Sequence, residues 1–393
     1  MPSTALTAKP YVRFDLSQQS WTVAPGPIAA DVPAELAARL SGEIPATVPG
    51  CVHTDLLAAG LIESPYGYNV EPTLEWIGRC DWRYTCRFSA DEDLTTRRHV
   101  ELCCEGLDTV AALTLNGLAI GQTANMHRRY RFKIAEALRA GENELVIEFS
   151  APLTAAEREE ARYGALPYGG GGSNDGRPHN MLRKMACNFG WDWGPALTTV
   201  GVWRGIRLEA WDEARLGDVV PQVESAEASG AELAVRAAVV GDAETEVKFE
   251  LSDPAGRVVA SATQAGEAGQ ASARLTVDRP ALWWPAGHGE QPLYTLTTRL
   301  VDAEGLVLDE AEQRIGLRTV AIDSTPDATA GDGSAIDDLA LGERMHIKVN
   351  GRPGSSARAG KQSSGIQLAP FRKIGRPLTL MCIRSPSARS SIA

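Results

Sequence analysis

The chain has 393 residues, enough for two or three domains that each bury a sizeable core. Its formal net charge of −11 argues against nucleic acid and anionic membranes as partners, because both are negatively charged themselves. Apolar residues make up 44% of the chain, as in ordinary soluble proteins, and no apolar run is long enough to span a bilayer. Residues 1–20 lack the basic start and apolar stretch of a secretory signal, so we expect a cytoplasmic location.

The cysteines and histidines do not form a recognisable pattern. Seven cysteines at irregular spacings do not indicate a disulfide framework, and the adjacent Cys103 and Cys104 would point to opposite faces of a strand. Neither CxxC nor HExxH occurs, and the six histidines are scattered. We therefore expect no metal site, no cofactor and a reducing compartment.

The first half of the chain predicts mainly short strands. After a strand near Trp21, helical segments are predicted over residues 34–40 and from Thr54 to an end at Gly60. His53 before the second one is either catalytic or, more commonly, a structural hydrogen-bonding residue. Alternating runs that predict strands occupy residues 82–88, 99–103, 110–115, 144–149 and 201–209. Hairpin turns are predicted at Asn116-Gly117 and at residues 140–143. Short strands at this spacing predict an antiparallel sandwich.

A helix over residues 155–163 leads into a long polar loop, residues 168–180, that contains a run of four glycines. Such a run is either a flexible linker or part of a functional loop. After it, Cys187 to Pro195 places two indoles on either side of the Asp192 carboxylate. An indole stacks on the apolar face of a sugar ring and a carboxylate accepts hydrogen bonds from hydroxyls, so the stretch fits a sugar. Alternatively, it is a tryptophan cluster of the core in which Asp192 caps a turn.

The second half predicts another sandwich and then a different kind of sequence. Alternating runs at residues 232–240, 246–251 and 272–277, with turns between such runs at residues 253–256 and 303–305, are typical of an immunoglobulin-like sandwich. The aromatic segment from Trp283 to Tyr294 favours domain packing, with a sugar platform as the alternative. Residues 345–350 again predict a strand, followed by a turn at Asn350-Gly351. The tail, residues 354–393, contains no Asp or Glu and is rich in Arg, Ser and Pro, so we expect it to be disordered.

Several motifs together resemble the amino-terminal part of a glycoside hydrolase family 2 β-mannosidase. They are Val48 to His53 with Asp55-Leu56-Leu57, Gly106 to Thr109, Leu115-Asn116-Gly117, Asn125-Met126-His127, and Arg183-Lys184 before Phe189 to Pro195. The Trp283 to Tyr294 segment and Gly316-Leu317-Arg318 are shared more widely in that family. The resemblance covers roughly residues 10 to 353.

The resemblance implies a mainly β fold. A jelly-roll, galactose-binding-like sandwich is expected over residues 1–213 and an immunoglobulin-like sandwich over residues 214–321. A linker and the start of a (β/α)₈ barrel are expected over residues 322–353, followed by the unrelated tail.

The resemblance also implies a function: retaining hydrolysis of terminal β-linked mannose in oligosaccharides, with Trp191 and Asp192 binding the sugar. The two catalytic glutamates of the family lie on the barrel, and this sequence offers no counterparts. We therefore expect a chain truncated before the barrel, with a tail produced by a frameshift, that is inactive by itself. The alternative is a non-catalytic carbohydrate-binding protein of two sandwiches. Uncovered sandwich faces would favour homo-oligomers or aggregates.

Overall fold

The computed structural model describes residues 11–26, 32, 34–40, 42–167, 177–191, 194–266, 269–323 and 346–353. The described residues fall into two compact units, one that ends at Thr319 and one that begins at Val320. Several predictions lie outside the described residues: those for the glycine run, for Asp192, for most of the linker expected from residue 322 and for the tail from residue 354.

The first sandwich consists of two antiparallel sheets, ordered β3-β2-β4-β9-β6-β7 and β1-β10-β5-β8. Its strands are β1 (Val12–Asp15), β2 (Ser20–Pro25), β3 (Ile44–Ala46), β4 (Trp82–Ala90), β5 (His99–Cys104), β6 (Val110–Leu115), β7 (Leu118–Ala124), β8 (Tyr130–Lys133), β9 (Gly141–Phe149) and β10 (Ile206–Trp211). The connections contain the helices α1 (Ala34–Arg39), α2 (Val52–Ala58), α3 (Glu92–Thr95) and α4 (Pro152–Tyr163).

Alternation of apolar and polar residues accounts for these strands. Along β4, Trp82 and Tyr84 are buried whereas Arg83 is exposed, because successive side chains of a strand point to opposite faces. The Tyr84 ring meets the Phe149 ring of β9 edge to face, with 5.7 Å between the ring centroids. The core of the first sandwich therefore lies between the two sheets, where both rings are buried.

One of the two predicted hairpin turns is confirmed and the other is wrong. Asn116 and Gly117 have φ of 52° and 83° and join β6 to β7, as their turn chemistry predicts. The turn predicted at residues 140–143 is not a hairpin, because β8 pairs with β5 in one sheet whereas β9 pairs with β4 and β6 in the other. Gly141 is instead the first residue of β9. Local composition marks a change of chain direction, but it does not determine which sheet the next strand joins.

The strand predicted over residues 201–209 also differs from the structure, in which β10 begins only at Ile206. Before it, Gly201 forms an isolated antiparallel bridge with Asp108 and has φ of +151°, a backbone conformation that glycine tolerates. The segment before β10 is therefore irregular and is bonded to Asp108 through Gly201.

The second sandwich pairs a sheet ordered β11-β12-β15 with one ordered β14-β13-β16-β17. Its strands are β11 (Ala214–Ala226), β12 (Gly230–Gly241), β13 (Glu246–Ser252), β14 (Val258–Ala265), β15 (Gln270–Asp278), β16 (Tyr294–Val301) and β17 (Val307–Ile315). Val235, Phe249 and Leu296 are completely buried in its core. The turns predicted at residues 253–256 and 303–305 lie between β13 and β14 and between β16 and β17, which confirms them.

A network of charged side chains, which we name the ladder, joins the two sandwiches. Its members are Glu101, Glu105, Arg129, Arg131, Arg207 and Glu209 of the first sandwich and Arg215 and Asp218 of the second. Arg129 bridges them directly, with Nε 2.7 Å from Glu105 and Nη1 3.2 Å from Asp218. Burial by itself would raise the pKa of Glu209. A hydrogen bond from Tyr11 and the charges of the neighbouring arginines outweigh that effect and lower the pKa to about 2.

Cys103 and Cys104 lie on opposite sides of β5, as predicted. Cys104 belongs to the apolar core, whereas Cys103 faces the charged side chains of the ladder. Burial raises the pKa of the Cys103 thiol to about 12. All six cysteines in the described part of the chain are free.

The second unit contains a small antiparallel sheet ordered β18-β19-β20, with strands β18 (Val320–Asp323), β19 (His346–Val349) and β20 (Arg352–Pro353). Asn350 and Gly351 have φ of 50° and 75° and form the predicted turn between β19 and β20. Strands of a (β/α)₈ barrel run parallel, whereas these three are antiparallel. The expected start of a barrel is therefore not shown among these residues.

Candidate functional site

The aromatic stretch lies in an irregular loop between α4 and β10, residues 177–191 and 194–200, which we name the Trp191 loop. Trp191 is 40% exposed near the tip of the loop, so it is not part of a buried tryptophan cluster. Its backbone N–H donates to the carbonyl of Gly194 at 3.1 Å, and the N–H of Gly194 donates back at 3.2 Å. Gly190, with φ of +107°, turns the chain into this narrow reversal. The turn leaves the indole at the surface.

A small apolar cluster fixes the base of the tip. Phe189 is completely buried against Leu153 and Ala156 of α4, with Met181 and Leu182 packed around them. Phe189, two residues before Trp191, is therefore an aromatic residue of this stretch that packs in the core.

A buried ion pair holds the loop at its base. The Lys184 ammonium, with no exposed side-chain surface, donates to both carboxylate oxygens of Asp108 at 2.6 and 2.5 Å. It also donates to the carbonyl of Thr199 at 2.8 Å, and the Thr199 hydroxyl donates to Asp108 Oδ2 at 2.7 Å. Thr109 donates a further hydrogen bond to Asp108. An ammonium that donates to a carboxylate forms charge-assisted hydrogen bonds, so the cluster is both ionic and internally satisfied.

Burial lowers the pKa values of two basic groups at this ion pair, Lys184 and His53. Burial lowers the pKa of Lys184, and the charge of Asp108 opposes that effect. His53 of α2 lies in the same environment and is 5% exposed. Burial, and secondarily the Lys184 ammonium, lower the pKa of His53 to about 4, so its imidazole is neutral at pH 7.

Charged residues of a neighbouring 3₁₀ helix, Glu71–Arg79, also contact the loop. Glu71 Oε1 accepts a hydrogen bond from the Ala196 backbone N–H at 2.7 Å, and Glu75 Oε2 lies 3.2 Å from Arg177 Nη2. The Trp191 loop is therefore supported from the 3₁₀ helix as well as from Asp108.

The sequence-based candidates have different outcomes. Trp191 lies at the surface, as sugar binding requires, and Asp192 lies outside the described residues. His53 is buried, and its Nδ1 has no hydrogen-bond partner among the described residues, so the predicted hydrogen bond is not formed by this atom. Sequence reasoning missed the role of Asp108 and Lys184, although both belong to the motifs that carry the family resemblance. Because 76 positions separate the two residues, no local spacing indicates that they pair.

Trp283 of the second aromatic segment packs within the second sandwich. The guanidinium of Arg318 lies 4.1 Å from the centre of the Trp283 ring, and the backbone N–H of Trp283 donates to the carbonyl of Leu317 at 3.0 Å. Trp283 thus packs against the end of its own sandwich.

The described residues contain neither a group that could hold a metal ion nor a helix that could cross a membrane. No group of three or more histidine, cysteine, aspartate or glutamate side chains there is arranged to hold a metal ion. None of the helices in that part of the chain has the length and apolar character needed to cross a membrane.

The first 319 residues thus contain a tandem of two antiparallel β-sandwiches, with an aromatic loop anchored on the first. Residues 32–204 match the family model described as glycosyl hydrolase 2 galactose-binding domain-like, and residues 214–318 match that of glycosyl hydrolases family 2. The chain belongs to glycosyl hydrolase family 2.

Curated relatives agree with this assignment. The chain is 30% identical over 336 residues to a β-mannosidase of Bos taurus, an alignment that covers 79% of this chain and 35% of the relative. It is 33% identical over 300 residues to β-mannosidase B of Aspergillus niger, covering 75% of this chain and 34% of the relative. The chain thus spans about a third of the length of the curated relatives it matches.

Solved structures give the same result. A β-D-mannosidase of Dictyoglomus thermophilum superposes with a TM-score of 0.71 at 31% identity, covering 88% of this chain and 39% of that one. An exo-chitosanase of Amycolatopsis orientalis superposes with a TM-score of 0.61 at 18% identity, covering 87% of this chain and 36% of that one, which shows the shared fold alone.

Proposed function

We propose that this chain is the substrate-recognition part of a β-mannosidase-type glycosidase, and that the Trp191 loop of its first sandwich binds terminal β-linked mannose. The supporting observation is an indole that is 40% exposed on a loop held by a buried ion pair. An exposed aromatic ring on a rigid support suits a sugar, because stacking needs a preorganised apolar surface. The relatives named β-mannosidase indicate which sugar to test first.

Trp191 and Asp192 have separate roles in this proposal. The face of the Trp191 indole stacks on the apolar C–H face of the sugar ring, and the Asp192 carboxylate accepts hydrogen bonds from ring hydroxyls. Together the two groups orient the terminal mannose, and neither of them breaks a bond.

We further propose that bond cleavage depends on carboxylates outside the two sandwiches. Retaining hydrolysis needs two carboxyl groups about 5 Å apart, one as acid and base and one as nucleophile. In the described part of the first sandwich, the buried carboxylates of Asp55, Asp108 and Glu209 all have internal hydrogen-bond partners. These groups stabilise the fold, so we assign recognition and not catalysis to the sandwiches.

Binding is tested by titrating the chain with methyl β-D-mannoside and following tryptophan fluorescence. We expect a saturable change that Trp191→Ala and Asp192→Asn each abolish, because stacking and hydroxyl recognition are both removed. Trp284→Ala in the second sandwich is the matched control and is expected to keep the change. Release of nitrophenol from p-nitrophenyl β-D-mannoside is expected to stay at the buffer rate.

Any of three results would contradict the proposal. A flat titration up to high mannoside concentration excludes recognition by the loop, and a signal lost in Trp284→Ala but kept in Trp191→Ala transfers the site to the second sandwich. A saturable signal without hydrolysis is also what a stand-alone carbohydrate-binding protein would show. Hydrolysis above the blank would overturn the assignment of recognition without catalysis.

We also propose that the isolated chain associates through uncovered apolar surface. Tyr66 and Tyr68, which precede the 3₁₀ helix at Glu71, are 83% and 97% exposed. Exposed aromatic surface promotes association, because burying it removes apolar area from water. Light scattering at micromolar concentration is expected to show oligomers. A homogeneous monomer would exclude this prediction, and Tyr66→Ser with Tyr68→Ser is expected to reduce the association.

A further inference from the structure

The Trp191 loop has little regular structure to hold it in place. Its described part contains two 3₁₀ turns, His179–Met181 and Ala186–Phe189, and otherwise only isolated bridges. Loops of this kind lack the continuous hydrogen-bond ladder of a sheet or helix. Two backbone bonds reach the loop from the first sandwich, Met126 N–H to the Arg183 carbonyl and Val52 N–H to the Val200 carbonyl, and side-chain contacts hold the residues between them.

Both arms of the loop meet at a single carboxylate. Lys184 lies on the incoming arm, seven positions before Trp191, and Thr199 lies on the outgoing arm, eight positions after it. Lys184 binds both oxygens of Asp108, and the Thr199 hydroxyl donates to Oδ2 of the same group. Asp108 lies two positions before β6, and its backbone N–H and carbonyl are both bonded to Gly201, just after the outgoing arm. Asp108 therefore joins the two arms at the base of the loop.

Asn188 extends these polar contacts toward Trp191. Asn188 Nδ2 donates to the Thr199 hydroxyl at 2.9 Å and to the Leu197 carbonyl at 3.1 Å, so it joins the incoming arm to the outgoing arm above the ion pair. Asn188 immediately precedes the buried Phe189, and Trp191 follows two residues later. A continuous chain of contacts thus runs from Asp108 through Thr199 and Asn188 to the turn that presents the indole.

Stability alone does not explain an ionic anchor at this place. Removing two charges from water is costly, and well-packed apolar side chains of similar volume stabilise a protein equally well or better. A carboxylate that accepts from an ammonium and a hydroxyl in fixed directions restricts geometry in a way that apolar contacts do not.

We propose that Asp108 and Lys184 are positioning residues that place the Trp191 indole for binding the sugar. The inference rests on the proposed function, since it concerns the same loop. The two residues do not contact the sugar in this scheme; they act through Thr199 and Asn188. Loosening the pair changes the position of the indole before it changes the rest of the fold.

Fluorine NMR of the chain labelled with fluorotryptophan tests this, with Trp191→Phe identifying the Trp191 resonance among the nine tryptophans. In Lys184→Met we expect that resonance to shift or broaden, and the affinity for methyl β-D-mannoside to fall about tenfold or more. If Lys184→Met does not fold, Thr199→Val takes its place, because it keeps both charges and removes only the hydroxyl between Asp108 and Asn188. A change in the same direction is expected there.

Leu275→Ala, in the core of the second sandwich, is the matched control: it destabilises the chain without touching the loop, and its Trp191 resonance is expected to stay unchanged. The proposal is overturned if the folded variants of Lys184 or Thr199 keep the wild-type Trp191 resonance, or if Leu275→Ala changes it equally. A wild-type chain that shows no response to mannoside excludes the sugar function alone, because the comparison of resonances among variants still decides positioning.

Discussion

Replacing Lys184 with methionine is expected to lower the free energy of unfolding by about 3–5 kcal/mol, because it leaves the buried Asp108 carboxylate without its cation. The pair has essentially no solvent contact, with side-chain exposures of 0% for Lys184 and 2% for Asp108. Water therefore cannot replace the missing ammonium. Urea unfolding monitored by circular dichroism measures the loss.

Two comparisons make this prediction specific. Arg257→Met breaks a surface pair of similar length, 2.7 Å to Asp253, in which the arginine side chain is 81% exposed and the aspartate side chain 10%, and it is expected to cost less than about 1 kcal/mol. The double variant Lys184→Met with Asp108→Asn is expected to cost less than the sum of the single variants, because the second change removes the charge that the first leaves unpaired. Equal losses for Lys184→Met and Arg257→Met would refute a buried ion pair.

Stability is expected to decrease by about 3 kcal/mol as the pH falls from 6.5 to 4, because of His53, at about 1.4 kcal/mol for each pH unit between its two pKa values. The unfolded chain binds a proton at His53 near pH 6.5, whereas burial and Lys184 lower the pKa in the folded chain to about 4. Within this interval protonation stabilises the unfolded state, so the contribution is complete above pH 6.5 and lost below pH 4. Urea midpoints measured across this range test the prediction.

Other groups titrate nearby, so the comparison requires a variant. Burial raises the pKa of Asp55, which opposes the effect of His53 in the lower part of the interval, and the low pKa of Glu209 causes a further loss below pH 4.5. His53→Asn keeps these groups and removes the imidazole, so its stability is expected to vary less between pH 6.5 and 4 than that of the wild type. His127→Asn, at an exposed position, is the control and is expected to keep the wild-type slope. Parallel profiles for all three proteins would show that His53 is not the source.

Most strands could be predicted from the sequence, because a strand with one buried face shows its alternation locally. The run at residues 110–115 coincides with β6, and the runs at residues 82–88 and 99–103 are extended by two residues and one residue in β4 and β5. The hairpin turn at Asn116-Gly117 could also be predicted, since that pair favours the left-handed backbone of a tight hairpin. These features depend on a few neighbouring residues, which is why they could be found without the fold.

The order of strands in the sheets was not accessible in the same way. β9 lies between β4 and β6 although β8 precedes it in the chain, and the turn chemistry at residues 140–143 does not reveal that. Sheet membership depends on which apolar faces meet across the whole sandwich, so it is a property of the assembled core.

By itself the sequence determined the two sandwiches, the family and the aromatic loop as the place to look for a sugar, because alternation, turn chemistry and motif composition are local. Only the tertiary structure decided that Phe189 fills the core while Trp191 stays at the surface. It alone joined Asp108 to Lys184 across 76 positions and buried His53 beside them. Pairing and burial arise when distant segments exclude water from the same place, and no spacing along the chain encodes that.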